Sequence, residues 1–499
     1  MRAILLLFWL LSMAAPAAAE WRVAESAHFR VYANMNAEAL RGRVELLEDY
    51  RNLLEMFTTA KVDELAPKLD IYLVDRIEKA VPFGTVPPTV AGFYNAGDSG
   101  IAAYAVKGDF GQKVLLHEYA HHHMFASTGQ SYPTWYAEGF AEYFMTATFA
   151  PNRVEFGLLD PGRVYSLQQP WLAWDKLIES ATGELRSQER YMFYAQSWLL
   201  THYMFRVPEM REKLTAHLKA IAGGSGSLAA FKAHILPEPR QLNSILKNYS
   251  SGRSFTYSRL ARTAPAPVAV KVQDLPESAD AMMMYYAAFD NRGSAVTDRS
   301  KALAAVQAAA KRYDGDAFAA RTLAMAELYL GDPARAVTVL RPLLAKSPAD
   351  PELMRLQASA LLAIDAAANR REARRLLVQA VKAAPNDWRA MHVYVHTHNI
   401  ETGTVDDNLF AVVQLMWSLA PQVPGIVLDM ASVLAGRGRL AEAAKVLEPV
   451  AFDPHGSRYA SFARLLRDAA LAGDAKAYQQ LLTEGPPKTP PPETVIPAP

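Results

Sequence analysis

The segment KVLLHEYAHHHMFASTGQSYPTWYAEGFAEY, residues 113–143, holds two histidines and several carboxylates at spacings that suit a metal site. Apolar residues and the lack of an internal proline predict a buried helix from about Phe110 to Ala126. On that helix His117 and His121 are four residues apart, so they face the same side about 6 Å apart along the axis. Two imidazoles in this arrangement can bind one metal ion.

Glu118 follows the first histidine and completes the pattern HExxH. Its carboxylate leans over the face that carries the two imidazoles. A bound metal lowers the pKa of a coordinated water, and a glutamate in this position can accept the proton. The sequence therefore predicts Glu118 as a catalytic base.

A third ligand is needed, because catalytic zinc sites normally have three protein ligands and a water. Residues 127–132 are rich in helix breakers, and Pro133 stands where the first turn of a second helix tolerates proline. An antiparallel second helix would bring Glu138 back beside the histidines. Glu142 lies one turn further along and can orient a ligand histidine through its second nitrogen. The alternative for Glu142 is a solvated helix carboxylate.

The combination of HEYAH with WYAEGFAEYF resembles the gluzincin, or thermolysin-like, metallopeptidases. It is most similar to the small peptidase MA-like families, whose second helix reads roughly W-x-x-E-G-x-A-E. The resemblance implies an α+β domain with a small mixed sheet and zinc-binding helices. It also implies one Zn²⁺ per chain held by His117, His121 and Glu138, with Glu118 as the catalytic base and Glu142 behind a ligand.

The same resemblance implies two further parts of a peptidase site. A sheet edge before the zinc helix pairs with an extended peptide substrate, and Ile101 to Val106 is the nominated strand, with a plain structural strand as the alternative. A downstream tyrosine stabilises the oxyanion of the transition state. On the predicted helix from Arg190 to Val207, Tyr194 is the first choice and Tyr191 the second, although an aromatic stripe on a helix is usually core.

Composition and charge limit the class of protein. The 499 residues are 51% hydrophobic, which predicts two or more domains with substantial cores. The chain has 52 basic and 51 acidic residues, so bulk charge argues against binding to nucleic acid or to an anionic membrane. There is no cysteine, and therefore no disulfide.

Residues 1–19 are typical of a secretory signal peptide, with Arg2, an apolar run and an Ala-rich cleavage site before Glu20. An uncleaved N-terminal anchor is the alternative. No later stretch approaches 18 apolar residues, so we expect no membrane span after cleavage. A periplasmic or secreted protein is the expectation, with the bacterial periplasm favoured.

The pattern along the chain predicts five segments. After the signal peptide, residues 20–250 form the peptidase domain: a strand over residues 21–33, a helix over 37–59, a strand over 68–75, a loop over 82–88, two strands before the zinc helix, and an irregular stretch over 154–174. Residues 251–280, with several prolines, are predicted as a linker. Residues 485–499 form a proline-rich, extended tail.

Residues 281–484 are rich in alanine and leucine and show a repeat of small residues, large aliphatics and a closing proline. Matching units lie at residues 317–348, 373–385 and 434–454. They resemble tetratricopeptide repeats and predict an all-α solenoid that can present a surface to a protein partner. An unrelated helical array is the alternative.

Together these features predict a zinc metallopeptidase of the bacterial cell envelope, a hydrolase that acts on a peptide or protein substrate. The alternative hypothesis is an envelope scaffold or adaptor that binds protein partners through its repeats and has a structural or vestigial zinc site. A gluzincin-like protein that binds zinc without turnover is a further variant of this alternative.

Overall fold

The computed structural model describes residues 21–58, 66–82, 90–128, 130–251, 256–262, 267–292, 298–398, 405–453 and 458–486. In these ranges a mixed α+β N-terminal region is followed by a helix-rich repeat region. The predicted signal peptide, all but the first residue of the loop predicted over residues 82–88, and most of the proline-rich tail lie outside the described residues. No helix of the described ranges is long and apolar enough to cross a membrane.

The strands belong to two sheets. A mixed six-stranded sheet has the order β4-β5-β3-β2-β1-β9, in which β2, β3 and β5 run parallel and the other neighbours antiparallel. A three-stranded antiparallel sheet has the order β6-β7-β8. The strands are β1 (Trp21–Glu25), β2 (Phe29–Asn34), β3 (Leu69–Val74), β4 (Gly92–Gly97), β5 (Gly100–Val106), β6 (Thr148–Ala150), β7 (Arg153–Phe156), β8 (Ser258–Ala261) and β9 (Lys271–Asp274).

Helices of the N-terminal region pack against the large sheet and against one another. They are α1 (Ala37–Glu55), α2 (Asp109–Thr128), α3 (Thr134–Phe144), α4 (Pro161–Ser166), α5 (Trp174–Glu179), α6 (Ser187–Arg206), α7 (Pro208–Ala222), α8 (Ser227–His234) and α9 (Leu242–Ser251). The helix predicted over residues 110–126 is α2, and the second helix predicted after Pro133 is α3.

The strand alternation explains how α2 is placed. Residues such as Val31, Ile71 and Ala103 point to one face of the sheet, where they pack with α1 and with Leu115 and Leu116 of α2. These two leucines fix α2 on the sheet, so its other face, which carries the histidines, is directed towards α3.

Three sequence expectations differ from the structure. The single strand predicted over residues 21–33 is two strands, β1 and β2, because the chain turns between Glu25 and Phe29. The stretch predicted as irregular contains β7, α4 and the start of α5. The predicted linker contributes β8 to the small sheet and β9 to the edge of the large one, so backbone pairing holds much of it in the N-terminal region.

The repeat region is built from consecutive helices that pack as neighbours. They are α10 (Ser278–Arg292), α11 (Arg299–Arg312), α12 (Ala317–Leu330), α13 (Pro333–Lys346), α14 (Pro351–Ile364), α15 (Ala366–Ala383), α16 (Trp388–His396), α17 (Asp407–Leu419), α18 (Pro424–Gly436), α19 (Leu440–Ala451), α20 (Arg458–Leu471) and α21 (Ala475–Glu484). Many of them begin with an aspartate cap: Asp316, Asp332, Asp350 and Asp365 each accept a hydrogen bond from a backbone N–H of the first turn.

Helix α10 belongs to both regions. Its residues Ala279, Met283 and Ala287 cover the second face of the large sheet, opposite α1 and α2. Its residues Met282 and Phe289 pack with the helices that follow. The sheet is therefore enclosed on both faces, and the first helix of the repeat region closes the core of the N-terminal region.

Candidate metal centre

Helices α2 and α3 bring three of the predicted site residues together. His117 and His121 lie on α2 and Glu138 on α3, and each is at most 3% exposed. The Nε2 atoms of the two histidines are 3.1 Å apart. Glu138 Oε2 lies 3.4 Å from His117 Nε2 and 3.3 Å from His121 Nε2.

These distances fit a shared zinc ion. In a tetrahedral site, ligand atoms about 2.0–2.1 Å from zinc lie about 3.3–3.4 Å from one another. The three atoms of this cluster are separated by 3.1 to 3.4 Å. Two imidazole nitrogens and one carboxylate oxygen are also a donor set that zinc accepts and that leaves a fourth position for another ligand.

The charge balance favours a cation at the same place. Glu118, Glu138 and Glu142 are each at most 2% exposed. Burial lowers the pKa of His117, but the hydrogen bond to Glu138 and the charges of the three glutamates outweigh burial and raise its pKa overall. Buried carboxylates are stabilised by nearby positive charge, and a divalent ion at this place would add such charge.

Glu118 and Glu142 are placed for two different roles towards His117. Glu118 is the next residue on α2 and stays buried beside the cluster. Glu142 places Oε1 3.4 Å from His117 Nδ1, the nitrogen that does not face Glu138. A carboxylate at the second nitrogen can fix the ring orientation of a ligand histidine, and this role of Glu142 stays a prediction.

Arg163, which was not among the predicted site residues, holds Glu142 in this position. Its Nε and Nη2 atoms donate to the two oxygens of Glu142 at 2.6 Å each, a bidentate ion pair in which both residues are buried. The planar guanidinium thus fixes both carboxylate oxygens. One oxygen is left close enough to act on His117.

The start of α4 positions Arg163. Asp160 caps this helix by accepting from the backbone N–H groups of Gly162 and Arg163, and its second oxygen accepts from Lys113 Nζ at 3.0 Å. Lys113 lies near the start of α2, so the cap also ties α4 to the helix that carries the histidines. Aspartate followed by proline is a helix-start signal, and Asp160-Pro161 could have revealed α4 within the stretch predicted as irregular.

Tyr194 lies in α6 next to the cluster and is fully buried. Its ring centroid is 6.3 Å from that of His117, and the guanidinium carbon of Arg163 lies 5.2 Å above the ring. Burial and then the charge of Glu138 raise the pKa of Tyr194 well above its usual value, so its hydroxyl keeps its proton. The role of this hydroxyl in stabilising an oxyanion stays a prediction. Tyr191, the second choice, is only partly buried.

The strand nominated for substrate pairing is not at the edge of the sheet. Strand β5, which contains Ile101 to Val106, lies between β4 and β3. That nomination was wrong, because the turn at residues 98–99 folds β4 back onto the side of β5 that the sequence left open. The edge strand on this side of the sheet is β4, Gly92–Gly97, which packs against α2.

His122 and His123 lie on α2 beside His121 and contact other elements of the fold. His122 Nδ1 lies 3.0 Å from the hydroxyl of Tyr94, and His123 Nε2 lies 2.8 Å from Thr58 Oγ1. Both are buried. They fix α2 to β4 and to the end of α1 rather than facing the cluster of His117, His121 and Glu138.

A tetratricopeptide-repeat family model matches residues 317–360. The match covers α12, α13 and most of α14, and it includes the first of the repeat units predicted from the sequence. No curated protein matches the chain. Tetratricopeptide repeats commonly mediate protein–protein interactions.

The later helices of the repeat region pack against the N-terminal region. Residues of α16 to α21, among them Trp388 and Tyr478, share one continuous apolar core with residues of α2 and α3. A cavity of about 450 Å³ lies between the two regions, lined on one side by the link before α3, including Tyr132 and Thr134, and on the other by Arg464 and Arg467. The repeat region therefore lies against the link that leads into α3, the helix that contains Glu138.

Proposed function

We propose that the chain is a zinc-dependent peptide hydrolase of the gluzincin type. The observation that carries the proposal is the convergence of His117 Nε2, His121 Nε2 and Glu138 Oε2 at tetrahedral ligand spacing, with Glu118 on the same helix. The bidentate Arg163–Glu142 pair supports it, since a carboxylate held behind a ligand histidine is a regular feature of working zinc sites.

A zinc ion held by His117, His121 and Glu138 would act as a Lewis acid on the scissile carbonyl and make a water acidic. Glu118 would accept the proton of the attacking water and pass it to the leaving amine. Glu142 keeps the imidazole of His117 oriented throughout. Tyr194, whose hydroxyl keeps its proton, would donate a hydrogen bond to the oxyanion.

Strand β4 is the edge at which we place the peptide substrate. In the antiparallel pair with β5, Val106 N donates to Ala91 O, so Ala91 and Val106 form a hydrogen-bonded pair. By alternation, the N–H and C=O groups of Gly92, Tyr94 and Ala96 point away from β5. An extended peptide can pair with such groups without strong demands on its side chains.

The repeat region would bind a protein partner or the distal part of a protein substrate. The tetratricopeptide match at residues 317–360 supports this role. We place the protein in the bacterial cell envelope, on the signal-like pattern of residues 1–19.

The test is hydrolysis of a quenched-fluorescent casein or random-peptide library by wild type and by Glu118→Gln, with zinc measured on both. Because loss of a general base typically costs about 10²–10⁴-fold in rate, we expect Glu118→Gln to keep its zinc and lose that much activity. Glu212→Gln, an exposed glutamate on α7, is the matched control and should cleave like wild type. Equal activity of Glu118→Gln and wild type would refute the proposal.

A scaffold that binds partners through its repeats is the second candidate, and the repeat match favours it. Under this hypothesis zinc is present in wild type and in Glu118→Gln, neither cleaves, and the biological function survives the substitution. Complementation of a deletion strain by Glu118→Gln distinguishes the two functions, because a peptidase fails there and a scaffold does not.

A further inference from the structure

A second cluster of metal-binding side chains lies in the repeat region, remote in sequence from the first. His392 and His396 are four residues apart on α16, and Asp429 comes from α18. One ligand atom from each of the three residues lies within 4.8 Å of the other two. Helix α17 separates α16 from α18 along the chain, so the cluster joins two helices that are not consecutive.

The geometry of this cluster repeats that of the first one. In both, two histidines at i and i+4 direct their Nε2 atoms at one carboxylate oxygen: at Glu138 Oε2 from 3.4 and 3.3 Å, and at Asp429 Oδ2 from 3.5 and 3.0 Å. The two rings of the second pair are 4.5 Å apart at 78°, against 4.8 Å and 81° in the first pair.

We propose that His392, His396 and Asp429 form a second metal site, which takes Zn²⁺ or a similar transition-metal dication. Two imidazoles and one carboxylate are the donor types that such ions prefer. The proposal goes beyond the peptidase function and does not depend on it.

Ordinary helix packing accounts for only part of this arrangement. A single hydrogen bond from His396 to Asp429 would join the two helices, yet the second imidazole converges on the same oxygen. The Asp429 side chain is 11% exposed, whereas that of His396 is 47% exposed, so an ion can enter from solvent on the histidine side.

The location gives the site a consequence for the N-terminal region. Asp98, in the turn between β4 and β5, lies against the start of α18: a Cβ on Gly425 would be 2.2 Å from Asp98 Oδ1. A metal bound here would therefore fix α16 and α18 beside the turn that ends β4, the edge strand of the sheet.

The experiment is the zinc stoichiometry of the full chain after loading with zinc sulfate and gel filtration. We expect wild type to carry one equivalent more than His396→Asn. The affinity of the site should fall by at least about 100-fold in the variant, because even the loss of a group behind a ligand costs 10–100-fold. His398→Asn, two residues further on and outside the cluster, is the matched control and should keep the wild-type stoichiometry.

Two features keep the result independent of the first site and of folding. The readout is the difference between wild type and His396→Asn, so it stands whether or not His117, His121 and Glu138 carry zinc. His396 is largely at the surface, and Asp429→Asn supplies a second variant with the same expected loss. Equal zinc content in wild type and both cluster variants overturns the proposal, and so does an equal loss in His398→Asn.

Discussion

Gly139 follows the proposed ligand Glu138 on α3 and lies where α3 meets α6. A Cβ added to it would be 2.3 Å from the carbonyl oxygen of Ser197 and 2.1 Å from Thr201 Oγ1. The threonine can rotate away, but the carbonyl of Ser197 is held in the backbone of α6. Gly139→Ala therefore forces α3 and α6 apart by roughly 1 Å, the distance that restores an ordinary carbon–oxygen contact.

Two opposing effects determine whether Gly139→Ala raises or lowers the free energy of unfolding. Alanine is favoured over glycine in a helix interior by about 1 kcal/mol. Overpacking of a well-filled interface costs about 1–3 kcal/mol, and the upper end applies here because backbone rather than a side-chain tip is in the way. We expect Gly139→Ala to lower the free energy of unfolding by about 2 kcal/mol. The shift of Glu138 should also weaken zinc binding, since a displacement of this size spoils ligand geometry.

Gly42→Ala is the matched control, because Gly42 also lies in a helix, α1, and a Cβ there would meet nothing within 4 Å. The same substitution should raise the free energy of unfolding by about 0.5–1 kcal/mol. Urea unfolding followed by circular dichroism measures both, with zinc content measured alongside. If Gly42→Ala stabilises and Gly139→Ala does so equally, the close approach of α3 to α6 is refuted.

Two further predictions concern buried charge and pH. Arg163→Met leaves the Glu142 carboxylate buried without its bidentate partner, so we expect the free energy of unfolding in urea to fall by about 3–5 kcal/mol. The control Arg211→Met, at an exposed arginine, should lower it by less than about 1 kcal/mol. Equal losses in the two variants would contradict the role of the pair. Burial lowers the pKa of His217 to about 4, so the unfolded chain binds more protons below pH 6.5. Stability should therefore be fully present above pH 6.5 and fall by about 3 kcal/mol per such histidine as the pH drops towards 4. His217→Phe, which keeps a ring against Trp135, should flatten the pH dependence of unfolding by that amount, and an unchanged slope would refute the assignment.

The cluster of His117, His121 and Glu138 could be predicted because the signals for it are local in the sequence. The i, i+4 spacing on one helix and a glutamate on the next helix determine the contact almost completely, once the link between the two helices is short. Glu142 follows from the same periodicity, one turn after Glu138. Helical periodicity could not predict why residue 139 is a glycine. Gly139 lies where α3 contacts α6, and this contact joins residues more than fifty positions apart in the chain.

The misjudged edge strand shows where local reasoning ends. Alternation identified β4 and β5 as strands, but both read alike, and sheet order depends on pairings between segments that are distant in sequence. Arg163 was not predicted for the same reason: nothing near it in the sequence indicates that its partner is Glu142. The dipeptide Asp160-Pro161 could have predicted a helix start there, but not that Arg163 of this helix pairs with Glu142.

The structure ties the segment predicted as a linker to the N-terminal region. A linker was expected where composition changes, yet β9 extends the large sheet and α10 covers its second face. Without α10 the sheet would expose Tyr32, Tyr72 and Tyr104, which form a stacked row on that face. Burying one aromatic side chain contributes on the order of 2–3 kcal/mol, so cutting the chain before α10 would expose a surface worth most of the stability of an ordinary domain.

The ion pairs of α10 extend this argument to the repeats. Asp290, 3% exposed, accepts from Arg389 of α16 at 2.9 Å and lies 3.4 Å from Arg355 of α14. Separating the repeats from α10 would leave these charges buried without partners or force them into water, and either event costs several kcal/mol. Helices α16 and α18 are therefore held to the sheet at two places, by Asp290 and by the contact of Asp98 with α18. A partner that binds the repeats consequently acts on a surface that these contacts join to β4, and through β4 to α2 and its histidines.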